Sequence, residues 1–82
     1  MATAYILINT EVGYENNVRQ QLVTINGIKD LTVVYGLYDI IIKIEQPTIK
    51  DLKALIFSKI RKLEHVKSTI TLVGIEKADE IP

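Results

Sequence analysis

Four short stretches of the chain alternate apolar and polar positions, and a period of two is typical of β-strands. They cover residues 4–10, 30–35, 38–45 and 67–76. In the first stretch, Leu7 falls on the face opposite to Ile6 and Ile8. Gly36 lies between the second and third stretches, and this short glycine-containing connection predicts an antiparallel hairpin.

Two further stretches repeat apolar residues at steps of three and four, the spacing of one face of an α-helix. The first stripe consists of Tyr14, Val18, Leu22 and Ile25, and the second of Ile49, Leu52, Leu55, Ile56, Ile60 and Leu63. Asn26 and Gly27 tolerate the left-handed conformation that closes a helix, so the first helix is expected to end there. Thr48 followed by Asp51 predicts the N-terminus of the second helix.

The order strand, helix, strand, strand, helix, strand predicts a ferredoxin-like α+β fold, βαββαβ. Such a fold has one antiparallel four-stranded sheet with both helices on one face. At 82 residues the chain is expected to be a single domain, residues 1–82, and residues 77–82 are expected to form a polar tail.

The second face of this sheet is expected to be polar in a monomer, because two helices cover only the first. Here Ile40, Ile41 and Ile42 follow one another, so both faces receive isoleucine. A contiguous apolar surface of this kind usually marks an interaction site. The sequence therefore predicts a homodimer that packs sheet against sheet, an assembly of the dimeric α+β barrel type.

Composition narrows the possible partners. The chain has 10 basic and 10 acidic residues, and a net charge of zero gives no electrostatic reason to bind nucleic acid or a membrane. It has no cysteine, one methionine and one histidine, so neither a metal site nor a cofactor is expected. No signal peptide or membrane span is recognisable, which indicates a cytoplasmic protein.

Candidate catalytic groups are sparse, so the chain is not expected to be an enzyme. His65 is the only histidine, and without an orienting constellation it is expected to be exposed or capping near a helix end. Three basic side chains lie within residues 59–62, but Asp51 and Glu64 are close in the sequence. This mixture favours a solvated helix face over a nucleic-acid patch.

The most distinctive local motif is the hairpin sequence Tyr35-Gly36-Leu37-Tyr38-Asp39. One interpretation is turn chemistry, in which Gly36 supplies a positive φ and Asp39 binds a nearby backbone amide. The other is a ligand site, in which Gly36 lets a ligand approach the backbone and Asp39 receives its ammonium group. The residues alone leave both interpretations open.

The hairpin and its neighbours resemble the Lrp/AsnC family of amino-acid-responsive transcription regulators. Residues 33–44 contain a Gly-x-Tyr-Asp pattern, residues 66–73 have the spacing Val-x-x-Thr-x-Thr, and residues 4–8 and 13–15 fit the family's opening. Together these segments span residues 3–76, nearly the whole chain. The sequence is similar to the C-terminal ligand-sensing module of these regulators, the RAM domain.

The resemblance implies a domain that dimerises through its sheet and associates further, up to octamers, with an amino acid bound between neighbouring dimers. The implied site residues are Tyr35, Gly36, Leu37, Tyr38, Asp39, Thr69 and Thr71. Gly36 would offer backbone contacts and Asp39 would hold the amino group or a nearby loop. The side chains beside them would form the wall, and the two threonines would reach in from a neighbouring subunit.

Two departures from the family pattern shape the expected function. The regulators usually have a helix-turn-helix domain ahead of this module, so the chain is expected to be a stand-alone sensor that binds no operator itself and modulates full-length regulators. Tyr35 stands where the family often has a small hydroxyl residue. The alternative functions are a purely structural oligomerisation module and a small enzyme on a dimeric α+β barrel.

Overall fold

A computed structural model describes residues 1–78 of the chain. Its elements are β1 (Ala2–Thr10), α1 (Glu15–Leu22), β2 (Ile28–Val33), β3 (Ile40–Gln46), α2 (Ile49–Leu55), a π-helical continuation of α2 (Ile56–Ile60) and β4 (Val66–Val73). The strands form one antiparallel sheet in the order β2-β3-β1-β4. The predicted ferredoxin-like fold is confirmed, and most of the predicted tail, residues 79–82, lies outside the described residues.

The core lies between the helices and one face of the sheet. It consists of Ala4, Ile6, Ile8, Val18, Leu22, Ile40, Ile42, Ile44, Leu52, Ile56 and Ile60. Because β1 and β3 are the central strands, their inward isoleucines are fully buried. Burying each such side chain contributes about 1.5–3 kcal/mol, so this aliphatic layer is the main source of stability.

Helix α1 is shorter than its apolar stripe predicts. It ends at Leu22, so the predicted end at residues 26–27 is wrong. Residues 23–25 are all β-branched, which lowers helix propensity. The Thr24 hydroxyl donates to the Gln21 carbonyl at 2.8 Å, and the chain turns away from the helix axis.

Helix α2 begins as predicted and then widens. The Thr48 side chain accepts a hydrogen bond from the Asp51 amide at 3.1 Å, which confirms the predicted cap. After Leu55 the helix continues as the π-helix Ile56–Ile60, which no sequence pattern predicted. Ile49, the first residue of α2, is exposed, although the predicted stripe includes it.

The sheet face away from the helices, called the open face here, carries an apolar patch. Its members are Tyr5, Leu7, Ile41, Ile70 and Leu72. Leu7 lies directly opposite Ile41 on one side and Ile70 on the other. The prediction that both faces receive large aliphatic residues is confirmed. None of the helices within residues 1–78 has the length and apolar character needed to cross a membrane.

Candidate functional site

The hairpin between β2 and β3 is closed at its base by backbone hydrogen bonds. The Val34 amide donates to the Asp39 carbonyl at 2.9 Å. The Asp39 amide in turn donates to the Ile8 carbonyl on β1 at 3.0 Å. The hairpin is therefore joined to the central strand as well as to its own two strands.

The Asp39 carboxylate strengthens this joint. Its Oδ2 accepts from the Thr10 amide at 2.8 Å and from the Thr10 hydroxyl at 3.3 Å. Thr10 is only 6% exposed, so its polar groups depend on this partner. The bonded amide lies 29 residues away on β1 and not within the turn, and the contact leaves Oδ1 without a hydrogen-bond partner within residues 1–78.

The tip of the hairpin is open. Tyr35 and Leu37 have relative exposures of 106% and 89%, so nothing within residues 1–78 covers them. Gly36 has φ +154°, and no atom lies within 4 Å of the position that a Cβ would take. Tyr38 is half-buried. The residues expected to wall a ligand site thus have a fixed base, and the part of the chain that the structure describes provides no lid over them.

The two threonines of the predicted site do not join the hairpin within one chain. Thr69 lies opposite Ile8 and Thr71 opposite Ile6, so both share the helix-side face of edge strand β4. Because β1 separates β4 from β3, they lie roughly 10 Å, two strand spacings, from the strand that leaves the hairpin. Their contribution from a neighbouring subunit stays a prediction.

Thr10 is the site residue that the sequence did not reveal. It follows Ala4, Ile6 and Ile8 at the inward positions of β1, where a polar side chain needs a partner. A polar residue at an inward position of a strand is the signal from which Thr10 could have been identified. The partner itself follows from the sheet order, which places the end of β1 beside the hairpin.

His65 belongs to a second contact beside this joint. Its carbonyl accepts from the Glu11 amide at 2.9 Å, and its Nδ1 lies 3.4 Å from Glu11 Oε2. Its ring stacks on Tyr14 with centroids 3.7 Å apart and planes at 14°. His65 has φ +68°, a left-handed conformation that costs a non-glycine residue roughly 1–2 kcal/mol. It is a packed link between two loops, and the expectation of an exposed or capping residue is wrong.

Metal ligands do not gather in the part of the chain that the structure covers. No group of three His, Cys, Asp or Glu side chains comes close enough there to hold an ion. The polar chemistry at the hairpin end of the sheet is therefore that of the Asp39 carboxylate, the Thr10 hydroxyl and open backbone groups.

The chain that forms this sheet also matches a known domain family. The sequence model of the family described as the Lrp/AsnC ligand binding domain matches residues 3–80. The chain belongs to the Lrp/AsnC ligand-binding domain family. The match extends over all the segments that carried the resemblance, which are residues 4–8, 13–15, 33–44 and 66–73.

Solved structures agree with this membership. FFRP-DM1 is 43% identical and superposes with a TM-score of 0.87, covering 92% of this chain and 100% of that one. A hypothetical protein from Pyrococcus horikoshii is 42% identical, with a TM-score of 0.86 and coverage of 94% and 93%. AsnC from E. coli, at 20% identity and a TM-score of 0.88, shares the fold over 99% of this chain and 55% of its own.

A curated relative contains a similar segment within a longer chain. Homocitrate synthase from Saccharolobus islandicus is 34% identical over 64 residues, which are 78% of this chain. The chain spans only 14% of the length of that protein.

Proposed function

We propose that this chain is an effector-binding module that binds a small amino acid at the hairpin and assembles through its open face. The observation that carries the proposal is a hairpin with a fixed base and an uncovered tip. Asp39 is tied to Thr10, while Tyr35 and Leu37 face solvent. A rigid base positions a ligand, and an open tip leaves room for a neighbouring copy to close the site.

The chemistry of the hairpin suits an amino acid. The uncommitted oxygen of Asp39 can accept a hydrogen bond from an ammonium group, a charge-assisted contact. The backbone beside Gly36 is open to a carboxylate, because no side chain stands there. Leu37 and Tyr38 offer apolar surface for the rest of the ligand, and Thr69 and Thr71 of a neighbour would add hydroxyl groups.

The open face supports a homodimer as the basic unit. Leu7, Ile41 and Ile70 form a continuous apolar row across three strands. A symmetric dimer that packs these rows together would remove the row from water on both copies. Further association, up to an octamer, would bring hairpins of neighbouring dimers together. The same face would let the chain join full-length Lrp/AsnC regulators.

The relatives support a sensing role that does not depend on one kind of partner domain. A similar segment is found in homocitrate synthase, and the same fold is found in an AsnC family transcriptional regulator from Agrobacterium tumefaciens. An effector-controlled assembly module would suit both settings, which favours a non-catalytic function for the present chain.

Native mass spectrometry with and without a mixture of the twenty amino acids tests the proposal. We expect one amino acid to add to the complex in a fixed ratio to subunits and to change the distribution of oligomers. Tyr35→Ala is expected to weaken binding, while Val12→Ala, equally exposed on a neighbouring loop, is the matched control. Oligomers that bind no amino acid at millimolar concentration would instead identify a structural oligomerisation module.

A further inference from the structure

A second concave surface lies on the helix layer, away from the open face. It is a groove of about 630 Å³ between the end of α1 with its following turn and the π-helical end of α2. Ile25, Leu55 and Leu63, which are half-buried, line it together with Lys59 and Lys62.

Although the net charge of the chain is zero, the helix beside this groove is strongly basic. Residues 49–62 hold five basic side chains and one acidic side chain, a local charge of +4. Within residues 1–78, neither Asp51 nor Glu64 forms a salt bridge with the groove lysines.

The polar side chains of the groove differ in the contacts that they already make. Lys62 Nζ lies 5.6 Å from the centroid of the Phe57 ring, a cation–π contact with a side chain outside the groove lining. Asn26 adds an amide on the α1 side of the groove. The hydroxyls of Thr24 and Ser58 instead donate to backbone carbonyls at 2.8 and 2.6 Å, so the donors for a ligand are cationic or amide groups.

We infer that this groove is a binding site for a short aliphatic dicarboxylate. Two carboxylates would meet Lys59 and Lys62, and the hydrocarbon between them would lie on the apolar floor. Inorganic phosphate has the charge but no spacer to cover that floor. The π-helix contributes Ser58 and Lys59 to one wall, and π-helical segments recur at functional sites. This site is separate from the hairpin and does not depend on the proposed amino-acid effector.

Amide NMR titration of the full chain with glutarate at constant ionic strength tests the inference. We expect saturable shifts in residues 24–26 and 58–63, with little change in residues 35–39. Inorganic phosphate is expected to bind more weakly, and acetate should not saturate. The double variant Lys59→Gln/Lys62→Gln is expected to weaken glutarate binding by about tenfold or more.

Lys50→Gln/Lys53→Gln is the matched control, because it removes the same charge from α2 outside the groove. The control variant is expected to keep the affinity of the natural sequence. Equal weakening by both double variants, or shifts that rise without saturation over the whole helix, would overturn the inference in favour of a nonspecific ion atmosphere. Heteronuclear spectra of each variant show whether the fold is retained.

Discussion

Asp39 illustrates how much of one residue's role is visible in a sequence. Its place after Gly36 left two interpretations open, a bond to a nearby backbone amide and a contact with a ligand, and the structure shows a bond to the Thr10 amide on β1. The identity of that amide depends on β1 lying beside β3, which is a property of the whole sheet. A residue's local chemistry can therefore be predicted where its distant partner cannot.

Removing the Asp39 carboxylate is expected to cost about 1.5–3 kcal/mol of unfolding free energy, because the buried Thr10 amide loses a charged acceptor. Urea denaturation of Asp39→Ala measures this loss. Asp39→Asn keeps one carbonyl oxygen and is expected to lose less. Asp30→Ala, at an exposed aspartate on β2, is the control, and an equal loss there would contradict the role given to Asp39.

His65 makes a separate prediction at the residue scale, because its backbone is left-handed. Both His65→Ala and His65→Gly remove the stack on Tyr14 and the contact with Glu11. Alanine also retains the steric cost of a positive φ, so we expect His65→Gly to be the more stable variant by about 1 kcal/mol. Chemical denaturation of both variants measures the difference in their unfolding free energies. A more stable alanine variant would contradict the presence of backbone strain at residue 65.

At the scale of elements, capping residues predicted the start of a helix correctly, whereas the apolar stripe did not predict the end of a helix correctly. The start of α2 was predictable because Thr48 and Asp51 are close in sequence and form the cap themselves. The end of α1 was misplaced because the apolar stripe continues through the turn at residues 23–25. The π-helix Ile56–Ile60 leaves the apolar spacing almost unchanged, so no periodicity reveals it.

The cap of α2 yields a prediction for the element as a whole. Thr48→Ala is expected to lower the unfolding free energy by about 1 kcal/mol, since the Asp51 amide loses its acceptor. Thr48→Ser keeps an oxygen in the same place and should stay close to the natural sequence. Thermal and urea unfolding of the pair measure the difference, and identical losses would show that the hydroxyl does not cap the helix.

At the scale of the whole molecule, the open face was foreseen and the dicarboxylate groove was not. Successive isoleucines at 40–42 must alternate between faces, so a two-sided apolar sheet follows from the pattern. The groove combines Ile25 with Lys59 and Lys62, which are far apart in the chain and meet through helix packing. The spacing of these residues in the sequence does not show that they lie close together in the fold.

A single charged substitution tests whether the protein assembles through its open face. Ile70→Lys places an ammonium in the apolar row opposite Leu7 and is expected to shift the protein towards monomer in sedimentation velocity. Val23→Lys adds the same charge at an exposed position after α1 and should leave the sedimentation coefficient unchanged. Unchanged assembly of Ile70→Lys would place the interface elsewhere.

The central position of β1 has a consequence for synthesis. Of the described strands β1 is translated first, yet one of its two neighbours is β4, which is translated last. Tyr5 pairs with Leu72, so this edge of β1 has no partner until nearly all of the described chain has been translated. Until β4 is made, the nascent chain exposes the unpaired backbone edge of an apolar strand. Early contact with a chaperone or with another nascent copy would cover that edge.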